Sequence, residues 1–457
     1  MDSQKRAGSQ APRQGRLVLC AILSGVLTMV AIPAFCQGTS GSGASGSSAS
    51  GSSASGSSAL TQTVPTGEIP AALPGLVPLG SFEGGQAWKS EVGGYPVLRL
   101  QGSWRAMGRQ YGKLLSRELR EFCDAIKADM TARGFTTGMA EEARSVVDTY
   151  PEKMKNLLEG MAETSGLSME EHIFLETSFF MLPGLVLANP QSAPSCSGIA
   201  VSAPRTADGK LYFARNWDMT QTAMRPYLKY MALVVFNPDD GSLGFANIRP
   251  LGQIYVETGI NEKGVLLEVN NGSASDPGQN PDGTFVVAEL FELVNACATV
   301  DEAVQRLIAV KLDSSYLIQA ADAHRAVSVE KPTFDTHLIE QKNGALYALN
   351  NFAQPIPEAW KGKIKEIPTG YRDDRQPRLD AILASEEWNG HVTLESVRNM
   401  MDRNLERGGP VVDGTFGTVL QVIAVPEDLI VLFRGYEYSD WAEVCLSGFF
   451  GSYTWTK

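Results

Sequence analysis

The sequence predicts an α+β fold in which antiparallel sheets are layered with helices. Three observations carry that expectation: helical periodicity between about Ser103 and Gly166, short β-rich runs separated by turn dipeptides from Cys196 onward, and strand runs alternating with helix runs instead of regular β-α-β units. With 43% hydrophobic and 20% charged residues over 457 positions, the chain can build a sizeable core. Fibrous, collagen-like and wholly disordered readings are excluded.

The first segment, residues 1–36, reads as an export leader. Lys5, Arg6, Arg13 and Arg16 form a basic start, Leu17 to Ala34 is a mostly apolar run, and small residues surround Cys36. An uncleaved single-span anchor and a lipidated Cys36 are the competing readings. Residues 37–69 begin as a Gly/Ser/Ala repeat with nothing to bury, a flexible linker. The expected location is therefore periplasmic or extracellular, with the membrane met only through the N-terminal segment. Residues 70–195 follow as a helical segment. Leu114, Leu115, Leu119, Phe122, Ile126 and Met130 recur at three- and four-residue steps, and Met154, Leu157, Leu158 and Met161 repeat the pattern.

Residues 196–457 carry the strands. Expected runs are 197–202, 211–215, 227–236, 244–248, 253–257 and 264–269, then a helical block over 286–310. Strands return at 316–320, 326–330, 336–340 and 346–349, helices at 378–383 and 394–401, and strands at 418–424 and 429–434. Roughly 70–457 is expected to fold as one domain.

Charge narrows the partners. Lys+Arg 39 against Asp+Glu 51 gives −12, and −15 once the leader's four basic residues and Asp2 are set aside. Nucleic acid and anionic membrane surfaces reward clustered Lys/Arg, so neither is expected as a partner of the body. The four His are scattered, with no zinc-type spacing and no G-x-S-x-G, so metal and Ser-His-Asp chemistry are poorly supported. No cofactor is implied. Cys123, Cys196, Cys297 and Cys445 of the body have irregular spacing; an exported chain can pair them, but its core does not require it.

The chemistry concentrates in Ser195–Met219. Cys196 heads a strand-like run, a turn at Asp208-Gly209 follows, and a second run ends in Arg215-Asn216-Trp217-Asp218. A hairpin of that kind sets its ends side by side, bringing a thiol, a guanidinium and a carboxylate together. A cation favours thiolate, and a carboxylate orients an amine. An inert core cysteine beside a surface Arg215–Asp218 pair is the competing reading.

This stretch resembles the nucleophile hairpin of choloylglycine hydrolases, penicillin V acylases, acyl-coenzyme A:6-aminopenicillanic acid acyltransferases and acid-ceramidase-like amidases. In these N-terminal nucleophile hydrolases a Cys-Ser/Thr opens the catalytic chain and R-N-x-D follows. The run Tyr95–Ser103 with Met107–Gly112 resembles the pro-region opening of the acyltransferases. The resemblance implies an αββα sandwich, two stacked antiparallel sheets between helical layers, with a helical pro-segment wrapping the outside.

It also implies a mechanism. The nucleophile's own α-amine serves as general base, so the chain must cut itself between Ser195 and Cys196. The pro-chain 37–195 would then be a partner of the catalytic chain 196–457. Asp218 would anchor the amine, while Arg215 would bias the thiol toward thiolate or hold substrate. The run Asn261–Asn271 resembles the N-E-K-G-L stretch, which implies Asn271 as oxyanion donor with Asn270 as alternative; a turn is the plain reading. Asn350-Asn351 resembles the T-N-x-P site and implies Asn350. Tyr371–Arg378 resembles the segment that supplies a late arginine, which implies Arg375 with Arg378 as runner-up. Arg372 and Asp373 read as a solvated charge cluster. The implied activity is cleavage of a small-molecule N-acyl amide through a thioester. Acyl transfer to an amine and a non-catalytic envelope binding protein are the alternatives.

Overall fold

The computed structural model describes residues 73–132, 139–186, 196–365, 373–414 and 416–451. The expected leader and linker, and Ser195 itself, lie outside the described residues. No helix among the described residues is long and apolar enough to cross a membrane. The four described cysteines are free thiols, with Cys445 exposed and the other three buried.

The described chain opens with β1 (Leu76–Phe82), β2 (Gly85–Ser90) and β3 (Pro96–Gly102), then α1 (Trp104–Leu114), α2 (Ser116–Ala132), α3 (Met139–Asp148), α4 (Glu152–Thr164) and α5 (Met169–Val186). The hairpin that follows Cys196 is β4 (Ser197–Val201) and β5 (Tyr212–Thr220). Next come β6 (Met231–Pro238), β7 (Phe245–Pro250), β8 (Thr258–Asn261) and β9 (Leu266–Asn271), followed by α6 (Val286–Val294) and α7 (Val300–Ala309). The chain closes through β10 (Tyr316–Ala321), β11 (Ala326–Lys331), β12 (His337–Glu340), β13 (Ala345–Ala348), α8 (Arg375–Ala384), α9 (Leu394–Met401), β14 (Phe416–Val425), β15 (Ile430–Gly435) and β16 (Ala442–Cys445).

Two sheets result. One has ten strands in the order β1-β2-β3-β6-β7-β8-β9-β10-β11-β12, the other six in the order β13-β4-β5-β14-β15-β16. The pairs are antiparallel except β3 with β6. The sheets face each other across Gly198: a Cβ built there would stand 1.6 Å from Gln319 Oε1 of β10 and 2.4 Å from Glu268 Oε1 of β9. On the outer face of the six-stranded sheet, Ile199, Val201 and Ala214 pack with Leu379 of α8 and with Val397 and Met400 of α9. The main core, which includes Val97, Leu100, Leu157, Leu233, Ile318 and Phe433, joins the rest. The αββα expectation is met.

The segment before Cys196 is helical over much of its length, and it does more than wrap the outside. Its β1–β3 extend the larger sheet, and Val97, Leu98 and Leu100 are fully buried. Close backbone contact fastens α1 to α4: a Cβ at Gly108 would lie 2.1 Å from Leu157 O, and one at Gly160 would lie 2.1 Å from Arg105 O. The segment before Cys196 thus shares one core with the strands that follow it.

Three local expectations change. Gln253–Glu257 is a loop, because the Glu176 carboxylate of α5 accepts the Ile254 and Tyr255 main-chain N–H groups (2.7 and 3.2 Å) that a neighbouring strand would otherwise take. Arg225–Tyr230 is a 3₁₀ helix in which Pro226 occupies the first turn, so β6 begins only at Met231. The 286–310 block splits into α6 and α7, where Thr299 caps the second helix by accepting from Glu302 N.

Candidate active site

Cys196 immediately precedes β4 and is 6% exposed. Antiparallel pairing of Ser197 with Asn216 and Ala348 with Gly198 sets it between the ends of β5 and β13. Its main-chain atoms are both held. The N–H donates to Asn350 Oδ1 at 2.7 Å, and the carbonyl accepts from Arg375 Nη1 at 2.6 Å. Arg375 Nη2 also reaches Asn350 Oδ1 (3.0 Å), tying the two holders together. Asn350 Nδ2 donates to Asn271 O (2.8 Å), which links β9 to the same cluster.

The arginine is itself fixed by carboxylates. Asp373 accepts from Arg375 Nε and Nη2 at 2.8 and 2.6 Å, a two-pronged pair with its side chain 7% exposed. Asp373 therefore belongs to the cluster and is not the solvated charge expected from the sequence. Arg378, the alternative, instead donates to Leu405 O. Asp218 accepts from Arg375 Nη1 (3.3 Å) and from Thr418 Oγ1 of β14 (2.7 Å). Burial pushes its carboxyl up to about 7 despite those donors.

On the sulfur side, the Asp218 main-chain N–H bonds the thiol and the Arg215 guanidinium lies beside it. Both effects favour thiolate. Burial outweighs them, and the thiol is pushed up to about 12. Arg215 is not free to hold substrate. Its Nη1 donates to Glu257 O (2.9 Å) and to Thr258 Oγ1, its Nη2 to Val269 O (2.8 Å), and its Nε lies 3.2 Å from Glu268 Oε2. Arg215 and Asp218 are both buried and make no surface pair.

The two asparagines of β9 differ. Asn270 is fully buried and donates to Glu268 Oε1 and Ala348 O, while Asn271 sits half-buried with Oδ1 accepting from Ser273 N at 2.8 Å. The six residues expected from the sequence thus join one cluster, five through the hydrogen bonds above and Arg215 through its place beside the thiol. Sequence reasoning missed Glu268, Glu257 and Thr418. The one available signal was an acidic residue amid the buried apolar run Leu266–Val269, where a lone carboxylate demands a cation.

Residues 205–403 match the family model described as acyl-coenzyme A:6-aminopenicillanic acid acyl-transferase. The match covers less than half of the chain and agrees with the resemblance read from the sequence. The match takes in Arg215, Asp218, Asn271, Asn350 and Arg375, and leaves Cys196 just outside. None of the curated proteins compared with the chain matches it. Among solved structures, a mutant conjugated bile acid hydrolase from Clostridium perfringens aligns at 14% identity, covering 55% of this chain and 92% of its own, with a TM-score of 0.38. The Caenorhabditis elegans N-acylethanolamine-hydrolyzing acid amidase ortholog aligns at 14% over 50% and 93%, with 0.35. Penicillin V acylase from Agrobacterium tumefaciens aligns at 11% over 55% and 86%, with 0.31.

Proposed function

We propose that the chain is an exported cysteine N-terminal nucleophile enzyme that cuts itself before Cys196 and then cleaves the linear amide bond of a small N-acyl substrate. One observation carries the reading: both main-chain polar atoms of Cys196 are held by buried side chains, Asn350 and Arg375. A core cysteine needs no such grip, whereas a residue whose own nitrogen must act as base does.

In the first step the thiol attacks the Ser195 carbonyl carbon and its proton passes to the departing Cys196 nitrogen. The acyl group moves from nitrogen to sulfur, and water hydrolyses the thioester to free the Ser195 carboxylate and the Cys196 amine. In turnover the thiol attacks the substrate carbonyl and its proton passes through the α-amine to the leaving nitrogen. Water then resolves the acyl-enzyme. Asn350 would keep the amine in place, Arg375 the adjoining carbonyl, and Asp218 the hairpin end beside the sulfur. Asn271, at the cleft-side end of β9, would supply an oxyanion donor through its amide nitrogen, one such donor being worth about 3 kcal/mol.

Denaturing gels and N-terminal sequencing of purified protein test this. The wild type should give a fragment starting at Cys196, and Cys196→Ala should remain one chain and lack amidase activity. A single chain in both, inactive on N-acyl amides, would return the protein to the binding-protein reading. An acceptor amine added to the active enzyme separates hydrolysis from acyl transfer, the alternative that the family model's description favours: more acylated amine than free acid would establish transfer.

A further inference from the structure

A cavity of about 320 Å³ opens where the two sheets end side by side, between β13 and the β10-β11-β12 edge. It does not include Cys196 among its lining residues. Its polar lining has an unusual origin. Cross-strand pairing aligns Thr258, Glu268, Gln319 and Ser328 in one row on the inner face of the larger sheet. The first three are used: Thr258 and Glu268 by Arg215, and Gln319 by its side-chain amide, which with nitrogen and oxygen exchanged donates to Glu268 Oε1 (2.6 Å) and Gly198 O (3.1 Å). Ser328, at the outer end, is 2% exposed, has no hydrogen-bond partner, and lines the cavity.

Across the cavity, Asn351 follows Asn350. Its Oδ1 is also enclosed and without a partner. Two enclosed polar atoms left unbonded beside one cavity are costly unless something bonds to them. Leu317, Ile339, Leu346 and Phe352 supply apolar walls around them. Charged side chains, Glu330 and Asp373 among them, complete the lining, and a cavity of this size with apolar walls and a few polar groups has the make-up of a small-molecule site.

We propose that this cavity binds a small amphipathic molecule whose hydroxyl or amine head donates to Asn351 Oδ1 and bonds Ser328 Oγ while its apolar body lies between the sheets. Asn351 is an acceptor, so the head must carry a donor; Ser328 takes either role. The bound molecule would lie against Asn351 and Asp373, the immediate supports of Asn350 and Arg375, so its occupancy would bear on how Cys196 is held.

Titration calorimetry on the full chain tests the site without any activity, so its failure is separate from failure of the amide-cleaving reading. Three probes share one body: benzylamine, benzyl alcohol and benzyl methyl ether, which has no donor. The amine or the alcohol should bind with Kd near or below about 1 mM, and the ether at least about tenfold more weakly. Ser328→Val should weaken the better probe about tenfold or more, and soaked wild-type crystals should show it between Ser328 and Asn351. The site is overturned if no probe binds below about 10 mM, if the ether binds as tightly as the alcohol and amine, or if soaked crystals place the probe elsewhere.

Discussion

Two arginines flank Cys196, both 2% exposed and both paired with carboxylates, and they act on it differently. Arg375 touches the nucleophile's main chain and is braced by Asp373 and Asp218. Arg215 spends most of its donors on β8, β9 and the loop before β8, with Glu268 against its Nε, and acts on the thiol instead of the main chain. The first arginine fixes position; the second sets electrostatics. Removing each should therefore fail in a different way, even though the residue type, burial and charge are the same.

The largest break of that symmetry is Arg375→Leu. It removes the Cys196 carbonyl's partner and strands Asp218 and Asp373 together, which should cost about 3–5 kcal/mol and abolish self-cleavage. Arg375→Lys restores charge without the fork, so it should recover stability more than cleavage. Melting curves and gel densitometry on the two variants separate the effects. Equal cleavage in Lys and wild type would show that geometry at Cys196 O is unimportant. Next in size is Gly198→Ala, whose methyl would press on Gln319 and Glu268 and push the sheets apart at the row that supports Arg215. Overpacking of this kind should cost about 1–3 kcal/mol, read as a lowered midpoint in urea.

The same contrast explains what could be read from the sequence. Cys196, Arg215 and Asp218 lie on one hairpin, so local strand geometry brings them together. Asn350 and Asn351 lie in the bend just after β13, where strand periodicity no longer applies: one turns to Cys196 and the other lines the cavity, and only the folded bend says which. Glu268 was not legible because its cation stands on the other sheet. Asp373 looked like solvent charge because its neighbours in sequence are charged, whereas its partner Arg375 faces inward from the first turn of α8. Strands β1–β3 escaped notice because Pro78, Gly80, Glu83 and Gly84 interrupt the alternation that would mark them. The loop at 253–257 looked like a strand because Ile-Tyr-Val is a β-branched and aromatic run; a carboxylate from a helix far upstream decided otherwise.

Electrostatic tuning should show in smaller effects. Arg215→Met removes the cation beside the sulfur, so the midpoint of thiol alkylation by iodoacetamide should move to higher pH. Glu268→Gln leaves that cation less neutralised, and the midpoint should move lower, each by about one pH unit or a tenfold change in rate at fixed pH. Shifts of the same sign in both variants would mean that packing, not charge, controls the thiol.

The effect farthest from the thiol, and the one with least bearing on how Cys196 is held, lies at Glu176 of α5. Burial pushes this carboxyl up to about 8, against an ordinary value of about 4.3. Between those values the folded chain holds a proton that the unfolded chain has released, so (protons bound unfolded minus folded) is negative and stability falls as pH rises. The melting temperature should decline from pH 5 to pH 8, and Glu176→Gln, which cannot ionise, should flatten that decline. An unchanged slope in the Gln variant would move the pH sensitivity to Glu268, whose carboxyl is likewise pushed up to about 8, and would place it on the Arg215 side of Cys196 instead of in the pro-segment.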